Sequence, residues 1–402
     1  MGLIGEFGGL ARPQKTAIVA GYLGWTLDAF DFFLLVFMLK AISESFGADI
    51  KQVSEALFLT LAARPLGALV FGWLGDRFGR RPILMLVIGL FSGFSALSGL
   101  ARSLPELLLV RALFGFAMGG EWGLGSSLVM ESIPARLRGP VSGLLQSGYA
   151  SGYLLASLVF YLLFDHIGWR NMFFLGVAPA LLVLLIRMGV EESPVFIQRR
   201  AAPRVSALRT LAEHWKLGLY LIVLMTAMNF LSHGTGDLYP TFLQKQHHFN
   251  TATTGILAAI MNLGSVVGAQ IFGHISERLG RRRTITLGCL LVLPVVPLWS
   301  YAQGTALLAT GAFFIGFCVQ GAWSTVPAHL NELSPPAIRA MFPGLVYQLG
   351  NLLASRVTPF QAGIAERHGD NYSYALALVA VAAALVLAVW VNLGPEVREE
   401  LE

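Results

Sequence analysis

Charged residues and cysteines are both scarce in this chain. Asp, Glu, Lys and Arg make up only 13% of its 402 residues, and 55% are hydrophobic, whereas soluble domains carry about 25% charged residues. The mean hydropathy of +0.66 excludes an ordinary soluble protein and indicates an integral membrane protein. The two cysteines, Cys289 and Cys318, fall within apolar stretches, so we interpret them as small hydrophobic residues that indicate no redox compartment.

Sequence motifs of hydrolytic and metal-dependent enzymes are missing as well. The chain has neither G-x-S-x-G nor H-E-x-x-H, the patterns that supply a serine nucleophile or a catalytic zinc. His329 and Glu332 lie three residues apart without further candidate ligands nearby. We therefore expect no enzyme activity, no metal and no cofactor, and without an evident signalling domain we expect no receptor.

Apolar stretches of about 20 residues, the length that an α-helix needs to cross a bilayer, occur twelve times. Open strands cannot cross lipid because their backbone groups would stay unpaired, and the alternating pattern of a barrel is absent. The predicted fold is therefore an all-α membrane protein with twelve transmembrane helices. The predicted spans are residues 17–39, 52–75, 82–101, 105–130, 141–163, 171–189, 217–243, 252–275, 283–302, 306–329, 340–363 and 372–393.

The distribution of Lys and Arg predicts the orientation, because cytoplasmic loops carry more of them than loops that cross the membrane. Of the 28 such residues, we place Arg64, Arg111 and Arg356 within helices and six on one side, which leaves nineteen, Arg187 among them, on the other. We predict an integral protein of the plasma (inner) membrane with both termini in the cytoplasm. This topology explains the net charge of +5 without a nucleic-acid partner.

An internal repeat divides the chain. "GWLGDRFGRR" at 72–81 recurs as "GHISERLGRR" at 273–282, an offset of 201 residues that also aligns 114–139 with 315–340. The repeat predicts two pseudo-symmetric six-helix halves, residues 1–189 and 217–402, joined by a polar cytoplasmic linker at 190–216. Duplicated helical halves are typical of transporters whose binding site lies between the halves near the membrane midplane.

The segment "GWLGDRFGRR" resembles the loop signature between helices 2 and 3 of the major facilitator superfamily. "RALFGFAMGG", with Arg111, Gly115 and Gly119, resembles the helix-4 pattern of the same superfamily. This resemblance covers essentially the whole chain and implies the major facilitator fold. An acid beside several arginines at a helix end can form a charge latch that breaks and re-forms. We therefore predict a cytoplasmic gate. The alternative is that the arginines only anchor the helix ends at the membrane surface. The predicted gate residues are Gly72, Asp76, Arg77, Arg80 and Arg81.

Ionisable residues within the predicted spans are candidate functional residues. Each costs at least a few kcal/mol in the bilayer centre unless it is paired or faces a cavity. They are Asp28, Asp31, Arg64, Arg111, Glu121, His233, Asp237 and Arg356. Asp28 and Asp31 share a helix face, and the offset of 201 places Asp28 opposite Asn229 across the pseudo-twofold axis.

The stretch "NFLSHGTGDLYPT" at 229–241 resembles the signature N-x-x-[ST]-H-x-[ST]-Q-D-x-x-x-T of Jen-type lactate and pyruvate proton symporters. Gly236 stands where that group has glutamine. "GGEWG" at 119–123 and "RPLGALVFG" at 64–72 resemble the wider sialate–proton symporter family. The resemblance implies proton-coupled transport of a small monocarboxylate.

A carboxylate substrate needs a cation or hydrogen-bond donors in the cavity, because an unpaired buried anion is strongly destabilised. Arg356 on a polar stripe of helix 11 is our first candidate. The predicted substrate-binding residues are Arg356, Asn229, His233, Gln348, Asn351 and Arg64. The alternative for Arg356 and Arg64 is a permanent ion pair with one of the intramembrane aspartates.

Proton coupling needs a group that changes charge near physiological pH, which histidine does and a buried acid can do. The candidates are Glu121, Asp28, Asp31, His233, Asp237 and Arg111. The alternative for His233 is a purely structural hydrogen bond, and for Glu121 a locked salt bridge to Arg111 or Arg64. Arg111 could equally be a structural partner of Glu121 or of a backbone carbonyl.

The resulting prediction is a monomeric proton symporter of small monocarboxylates such as lactate or pyruvate, whose partners are a small organic anion, a proton and the lipid bilayer. Two alternatives remain open. One is a proton symporter of sialic acid or another organic anion. The other is an antiporter of organic anions or phosphates, although helix 5 lacks the glycine-proline signature of antiporters.

Overall fold

The computed structural model describes residues 9–48, 50–199 and 206–395, and within them the chain is helical almost throughout, without a strand. The predicted cytoplasmic ends, residues 1–8 and 396–402, lie outside the described residues, as do residues 200–205 of the predicted linker.

The described residues form the twelve predicted membrane helices, several of them in two segments. The first six are α1 (Arg12–Phe46), α2 (Ile50–Phe78), α3 (Arg80–Leu100), α4 (Leu104–Gly119 and Glu121–Ser132), α5 (138–167) and α6 (169–175 and Val177–Met188). The last six are α7 (Trp215–Gly236 and Tyr239–Lys245), α8 (Thr251–Leu279), α9 (Arg281–Val296 and Pro297–Tyr301), α10 (Thr305–Trp323 and Val326–Leu333), α11 (Phe342–Ala354 and Val357–Arg367) and α12 (Tyr372–Trp390). Two short helices, Pro194–Arg199 and Ala207–Glu213, lie in the connecting segment.

Glycine and proline residues explain several of the breaks between helical segments. Helices α5 and α6 form one continuous run, Arg138–Leu175, that turns at Gly168, whose φ of 71° is a conformation that glycine adopts without steric cost. Pro240 and Pro327 lie in the first turn of the second segments of α7 and α10. A proline is tolerated there because the N–H groups of the first turn have no partner within the helix. Broken helices of this kind often line transporter binding sites.

Nine candidate membrane spans, counted over the described part of the chain, are long and apolar enough to cross a membrane. The remaining membrane helices are exceptions for local reasons. Helix α1 carries the buried Asp28 and Asp31, and the longest segments of α6 and α11 have only 12 and 13 residues. The fold is nevertheless the predicted all-α membrane bundle.

Helix contacts repeat between the two halves. Helix α2 packs on α4 and α1 on α5, and in the second half α8 packs on α10 and α7 on α11. Contacts between the halves join α5 with α8 and α2 with α11, which are equivalent pairs in a duplicated structure. The exact division into residues 1–189, 190–216 and 217–402 stays a prediction.

The two halves meet backbone to backbone on one face of the bundle, which we call the closed face. A Cβ on Gly139 would lie 2.4 Å from the carbonyl oxygen of Gly273, and one on Gly72 would lie 2.4 Å from Cα of Met341. Only glycine permits such an approach. The start of α1 lies on the same face, because Gln14 donates a hydrogen bond of 2.8 Å to the carbonyl of Ser132.

Candidate functional site

A polar cavity lies between the two halves, near the middle of the helices. The space inside it that the centre of a water molecule can occupy is about 60 Å³. The side chains that line it are Trp25, Asp28, Phe32, Leu61, Arg64, Gln146 and Tyr149 from the first half and Asn229, Ser232, His233, Gln320, Trp323, Tyr347 and Asn351 from the second. The cavity reaches solvent on the side opposite the closed face, because the His233 and Asp237 side chains are 30% and 40% exposed.

Arg64 on α2 places a cation in this cavity. Its side chain is 5% exposed and lies over the ring of Phe32, with 5.5 Å between Cζ and the ring centroid. Nη2 contacts the sulfur of Met118 at 2.7 Å, and Nε has no hydrogen-bond partner among the described residues. No carboxylate of these residues lies within ion-pair distance of Arg64. The expected alternative of a permanent ion pair is therefore not observed for Arg64.

Close helix packing fixes Arg64 in this position. A Cβ on Gly119 would lie 2.0 Å from the Arg64 carbonyl oxygen, and one on Gly115 would lie 2.1 Å from the Thr60 carbonyl oxygen. The backbones of α2 and α4 therefore touch at two points one helical turn apart, as small residues allow in membranes. The helix-4 pattern predicted from the sequence thus positions the cavity cation.

Asp28 on α1 lines the same cavity. The residue is 2% exposed, and its Oδ1 has no hydrogen-bond partner among the described residues. A buried carboxylate without partners is costly, and protonation removes that cost. Asp28 and Arg64 together form an unpaired acid and an unpaired base that face one compartment.

The second half contributes neutral donors and acceptors together with a histidine. His233 Nδ1 lies 3.2 Å from an oxygen of Asp237, and Nε2 lies 3.3 Å from Oδ1 of Asn351. An imidazolium, which donates from both nitrogens, satisfies both contacts. Thr358 donates to the other oxygen of Asp237 at 2.7 Å, and Asn229 donates to the carbonyl of Met225 at 2.8 Å. The predicted polar face of α7 is therefore tied to α11.

Four aromatic rings close the cavity toward the closed face, and we call them the aromatic floor: Trp25, Trp122, Trp323 and Tyr347. Trp122 stacks on Tyr347 across the two halves with 4.6 Å between centroids and 17° between planes. Trp25 and Trp323 contact the same tyrosine ring at 6.2 and 5.8 Å. Passage of a substrate to the closed face requires these rings to separate.

Asp31 and Arg111 form an ion pair inside the first half. Arg111 Nη1 lies 2.9 Å from Oδ2 of Asp31, and both side chains are buried. Ser95 also donates to Asp31, and the Arg111 guanidinium lies 4.0 Å from the centroid of Phe114. Neither residue lines the cavity. The partner of Arg111 is thus Asp31, and the alternative pairing with Glu121 or a backbone carbonyl is not observed.

Glu121 pairs with a residue that the sequence analysis had counted among the basic residues of the cytoplasmic side. Arg187 on α6 is fully buried, and its Nη2 lies 3.8 Å from Oε1 of Glu121. The assignment of Arg187 to the basic residues of the cytoplasmic side was therefore wrong, and the alternative salt bridge of Glu121 to Arg111 or Arg64 is not observed. Removing Arg187 from the nineteen basic residues leaves a large excess on that side.

Arg356 lies outside the cavity. It is exposed at the junction of the two segments of α11, and no acid of the described residues forms an ion pair with it. Gln348 is buried elsewhere, with its Oε1 lacking a partner among those residues. Of the predicted residues on α11, only Asn351 lines the cavity. Of the two predicted cations, Arg64 lines the cavity and Arg356 does not.

The predicted gate residue Asp76 connects the halves on the closed face. Its carboxylate accepts hydrogen bonds from the backbone N–H groups of Ala340 at 2.9 Å and Met341 at 3.0 Å. These groups precede the first turn of α11, where an anion is favoured by the unpaired N–H groups and the helix dipole. Arg80 holds Asp76 at 3.2 Å and Glu131 at 3.2 Å.

The pseudo-symmetry-related contact exists in the other half. Glu277, at Asp76 plus 201, accepts a hydrogen bond from the backbone N–H of Gly139, at Ala340 minus 201. Arg281 holds Glu277 at 2.8 Å and Glu332 at 2.8 Å, as Arg80 holds Asp76 and Glu131. Two equivalent carboxylate latches therefore fasten the closed face.

The remaining gate arginines do not touch the opposite half. Arg77 is exposed and lies over the ring of Trp73 at 5.3 Å. Arg81 donates from its side chain to the carbonyl of Met188 at 2.8 Å and from its backbone to Glu192 at 3.1 Å. Both fit the alternative role of anchors for the end of the bundle.

Several cavity residues escaped the sequence analysis. Gln146 and Gln320 are polar residues in apolar helices, and Trp122 and Trp323 match each other at the 201-residue offset. These two signals were available in the sequence. Trp25, Tyr149 and Tyr347 offer no comparable signal, because an aromatic residue in a membrane helix most often packs against its neighbours.

Two six-helix halves around a polar cavity that opens to one side and is latched on the other define a membrane transporter. The Major Facilitator Superfamily family model matches residues 22–359 and, in a second match, 222–401. The chain belongs to this superfamily, and it is a transporter and not an enzyme.

Individual proteins of known name resemble the chain over most of its length. It is 29% identical over 397 residues to a carboxylic acid transporter protein homolog of Saccharomyces cerevisiae, covering 92% of this chain and 64% of the yeast protein's length. It is 28% identical over 382 residues to the sialic acid transporter NanX of Escherichia coli, covering 94% of each chain. The solved structure of the proton:xylose symporter XylE superposes with a TM-score of 0.77 at 18% identity, covering 96% of this chain and 97% of XylE.

Proposed function

We propose that this transporter is a proton-coupled symporter of small monocarboxylates such as lactate or pyruvate. The observation that carries the proposal is Arg64, a buried cation in the central cavity without an ion-pair partner among the described residues. Burying an uncompensated charge is unfavourable, and a bound carboxylate would compensate it. The yeast relative, named as a carboxylic acid transporter homolog, supports the same substrate class.

The size of the cavity favours a small anion. One water needs about 10 to 15 Å³ of such volume, so about 60 Å³ corresponds to roughly four to six waters. A three-carbon acid has six heavy atoms and suits this space. Sialic acid, a nine-carbon acid, is the second candidate because NanX is named for it, and it would need the halves to move apart.

Each half contributes a different part of the substrate site. The carboxylate pairs with Arg64 of the first half. Asn229, His233 and Asn351 of the second half supply donors and acceptors for the remaining oxygens of the substrate, and all three line the cavity. Binding therefore draws the halves together around the substrate, which is the step that alternating access requires.

Competition for Arg64 couples the substrate to the proton. While Asp28 is ionised, its charge attracts the Arg64 guanidinium and repels an incoming carboxylate. A proton on Asp28 removes this competition and leaves the cation to the substrate. The loaded carrier then holds one proton and one monoanion. Its change from one open state to the other therefore moves no net charge across the membrane.

The test is uptake of labelled lactate, pyruvate, acetate, sialic acid and glucose into proteoliposomes under an imposed pH gradient. Arg64→Gln should abolish uptake, because the substrate loses its cation, and Arg356→Gln is the matched control that should transport normally. Loss of transport in Arg356→Gln with retention in Arg64→Gln would return the substrate contact to Arg356. Uptake of glucose or of sialic acid alone would contradict the monocarboxylate assignment.

A further inference from the structure

A second, smaller pocket lies beyond the aromatic floor, between the central cavity and the closed face. Gly21, Glu121, Gly125, Leu145 and Pro327 help to line it, and it shares Trp25 and Gln146 with the central cavity. On α1 the cavity is lined at Asp28 and the second pocket at Gly21, seven residues closer to the start of the helix. At 1.5 Å per residue, the second pocket is displaced by about 10 Å toward the closed face.

The second pocket has the size of a single water. The space inside it that the centre of a water molecule can occupy is about 10 Å³. One water needs at least about 10 to 15 Å³ of such space. Three residues with polar side chains, Glu121, Gln146 and Ser126, are among those that line this pocket. The pocket is too small for an organic substrate but sufficient for a proton carried through water.

Glu121 is held loosely enough to exchange a proton. Its Oε1 lies 3.8 Å from Arg187 Nη2, longer than a hydrogen bond. The Arg187 Nη2 also donates to the carbonyl of Ala20 at 3.2 Å, while Nε and Nη1 lack partners among the described residues. A carboxylate committed to a structural bridge would use the bidentate geometry that arginine offers, as Glu332 does with Arg281.

The surroundings of Glu121 leave room for its carboxylate and contain few other charges. A Cβ on Gly24 would lie 2.4 Å from Oε1, so only glycine at this place on α1 lets the side chain reach Arg187. The charged groups that act on Glu121 are Arg187 on α6 and, at longer range, Arg64 on α2. Asp28 on α1 interacts electrostatically with both Glu121 and Arg64.

From this geometry we infer that Glu121 is a second proton station, placed beyond the aromatic floor, with Arg187 as its positioning residue. The inference rests on the proposed proton symport. In the transfer, the Asp28 carboxyl gives its proton to a water of the central cavity, the proton is relayed from water to water, and the water of the second pocket gives a proton to the Glu121 carboxylate. Asp28 regains its charge next to Arg64, which weakens the hold on the substrate, while Glu121 becomes neutral. The proton thus leaves the substrate compartment before the closed face opens.

The decisive variants are Glu121→Gln and the double variant Glu121→Gln with Arg187→Gln. If Glu121 carries a proton, both should lose net lactate uptake driven by a pH gradient by about 100-fold or more, the usual contribution of a positioned proton-transfer group. Exchange of labelled for unlabelled lactate should persist, because substrate binding at Arg64 is intact. Glu106→Gln, which neutralises an exposed carboxylate at the far end of the same helix, should match the wild type.

A purely structural pair gives the opposite result. Removing only Glu121 leaves Arg187 buried without a counterion and can prevent folding, whereas the double variant removes both charges together. Net uptake restored in the double variant would overturn the inference.

Infrared spectroscopy of the purified carrier in lipid provides a readout that does not depend on substrate. Asp28 contributes a C=O band of a protonated carboxyl to both proteins, and a second such band that disappears as the pH rises should be present in the wild type and missing in the double variant. The same titrating bands in both proteins would refute the station. A wild-type carrier that shows this band but neither takes up nor exchanges lactate would refute the proposed function and leave the proton station supported.

Discussion

Replacing Asp76 with asparagine should shift the transporter toward the state in which the closed face is open. The asparagine side chain keeps one acceptor oxygen but turns an amide N–H₂ toward the second backbone N–H, so one of the two hydrogen bonds to Ala340 and Met341 is lost. A hydrogen bond to a charged group contributes about 1.5 to 3 kcal/mol. At about 1.4 kcal/mol for each factor of ten, the ratio of closed to open states should fall roughly 10- to 150-fold.

Cysteine accessibility can measure this shift, because both native thiols are buried: Cys289 is fully buried and Cys318 nearly so. A cysteine introduced at Ala328 serves as the reporter. Ala328 is fully buried, and its backbone N–H donates to Ser142 of the opposite half at 3.2 Å. A maleimide should therefore label this position only when the halves separate on the closed face, and labelling should be faster in Asp76→Asn.

Three further variants make the result specific. Glu277→Gln should accelerate labelling as well, because Glu277 forms the equivalent latch to Gly139, and the double variant should combine the two effects because the latches are separate. Glu106→Gln removes an exposed negative charge that belongs to neither latch and should label at the wild-type rate. Unchanged labelling in both latch variants would refute the gate and reduce Asp76 to a structural acid.

Three other outcomes follow from the site. Arg111→Gln should destabilise the carrier by about 3 to 5 kcal/mol because it leaves Asp31 buried without its cation, measured by thermal unfolding in detergent; Arg77→Gln, at an exposed position, should change stability by at most about 0.5 kcal/mol. His233→Ala should reduce both net uptake and exchange, since it removes a cavity donor, and normal exchange would speak against that contact. Uptake should follow the pH gradient and ignore a potassium-diffusion potential, and a potential-dependent rate would exclude one proton per monoanion.

The arrangement of helices could be predicted from the sequence because it depends on signals that are regular along the chain. Hydropathy gives the twelve spans, since every apolar segment of sufficient length must cross the bilayer as a helix. The 201-residue repeat gives the relation between the halves. The resemblance at 72–81 identified Asp76 as a gate residue, although its partner proved to be the backbone at Ala340 and Met341 and not the neighbouring arginines alone.

The pairing of charges could not be predicted, because it depends on the rotation of each helix and on which helices touch. The sequence shows that Arg111, Arg356 and Arg187 are basic. Nothing in their spacing indicates that Arg111 forms a buried ion pair with Asp31 while Arg356 is exposed. Arg187 lies close to the end of its predicted span at 171–189, so it resembled one of the anchors that flank membrane helices. Three-dimensional packing brings it next to Glu121, 66 residues earlier in the chain.

The two halves carry the same charges at the latches of the closed face. They differ in the ionisable residues inside the helices. The latch residues Asp76, Arg80 and Glu131 correspond at an offset of 201 to Glu277, Arg281 and Glu332, so both halves carry the same charges. The ionisable residues inside the first half correspond to neutral ones: Asp28 to Asn229, Asp31 to Ser232, Arg64 to Ser265, Arg111 to Ala312, Glu121 to Ala322 and Arg187 to Ala388.

This difference has a physical consequence. Rocking needs equivalent contacts on both sides of the pseudo-twofold axis, because each latch must open together with its counterpart. In the proposed mechanism, transfer of a proton from Asp28 to Glu121, with Arg64 as the cation beside Asp28, needs these three groups to keep their mutual distances while the halves move. Placing all of them in one half separates the two requirements, and the second half contributes Asn229, His233 and Asn351 to the lining of the same cavity.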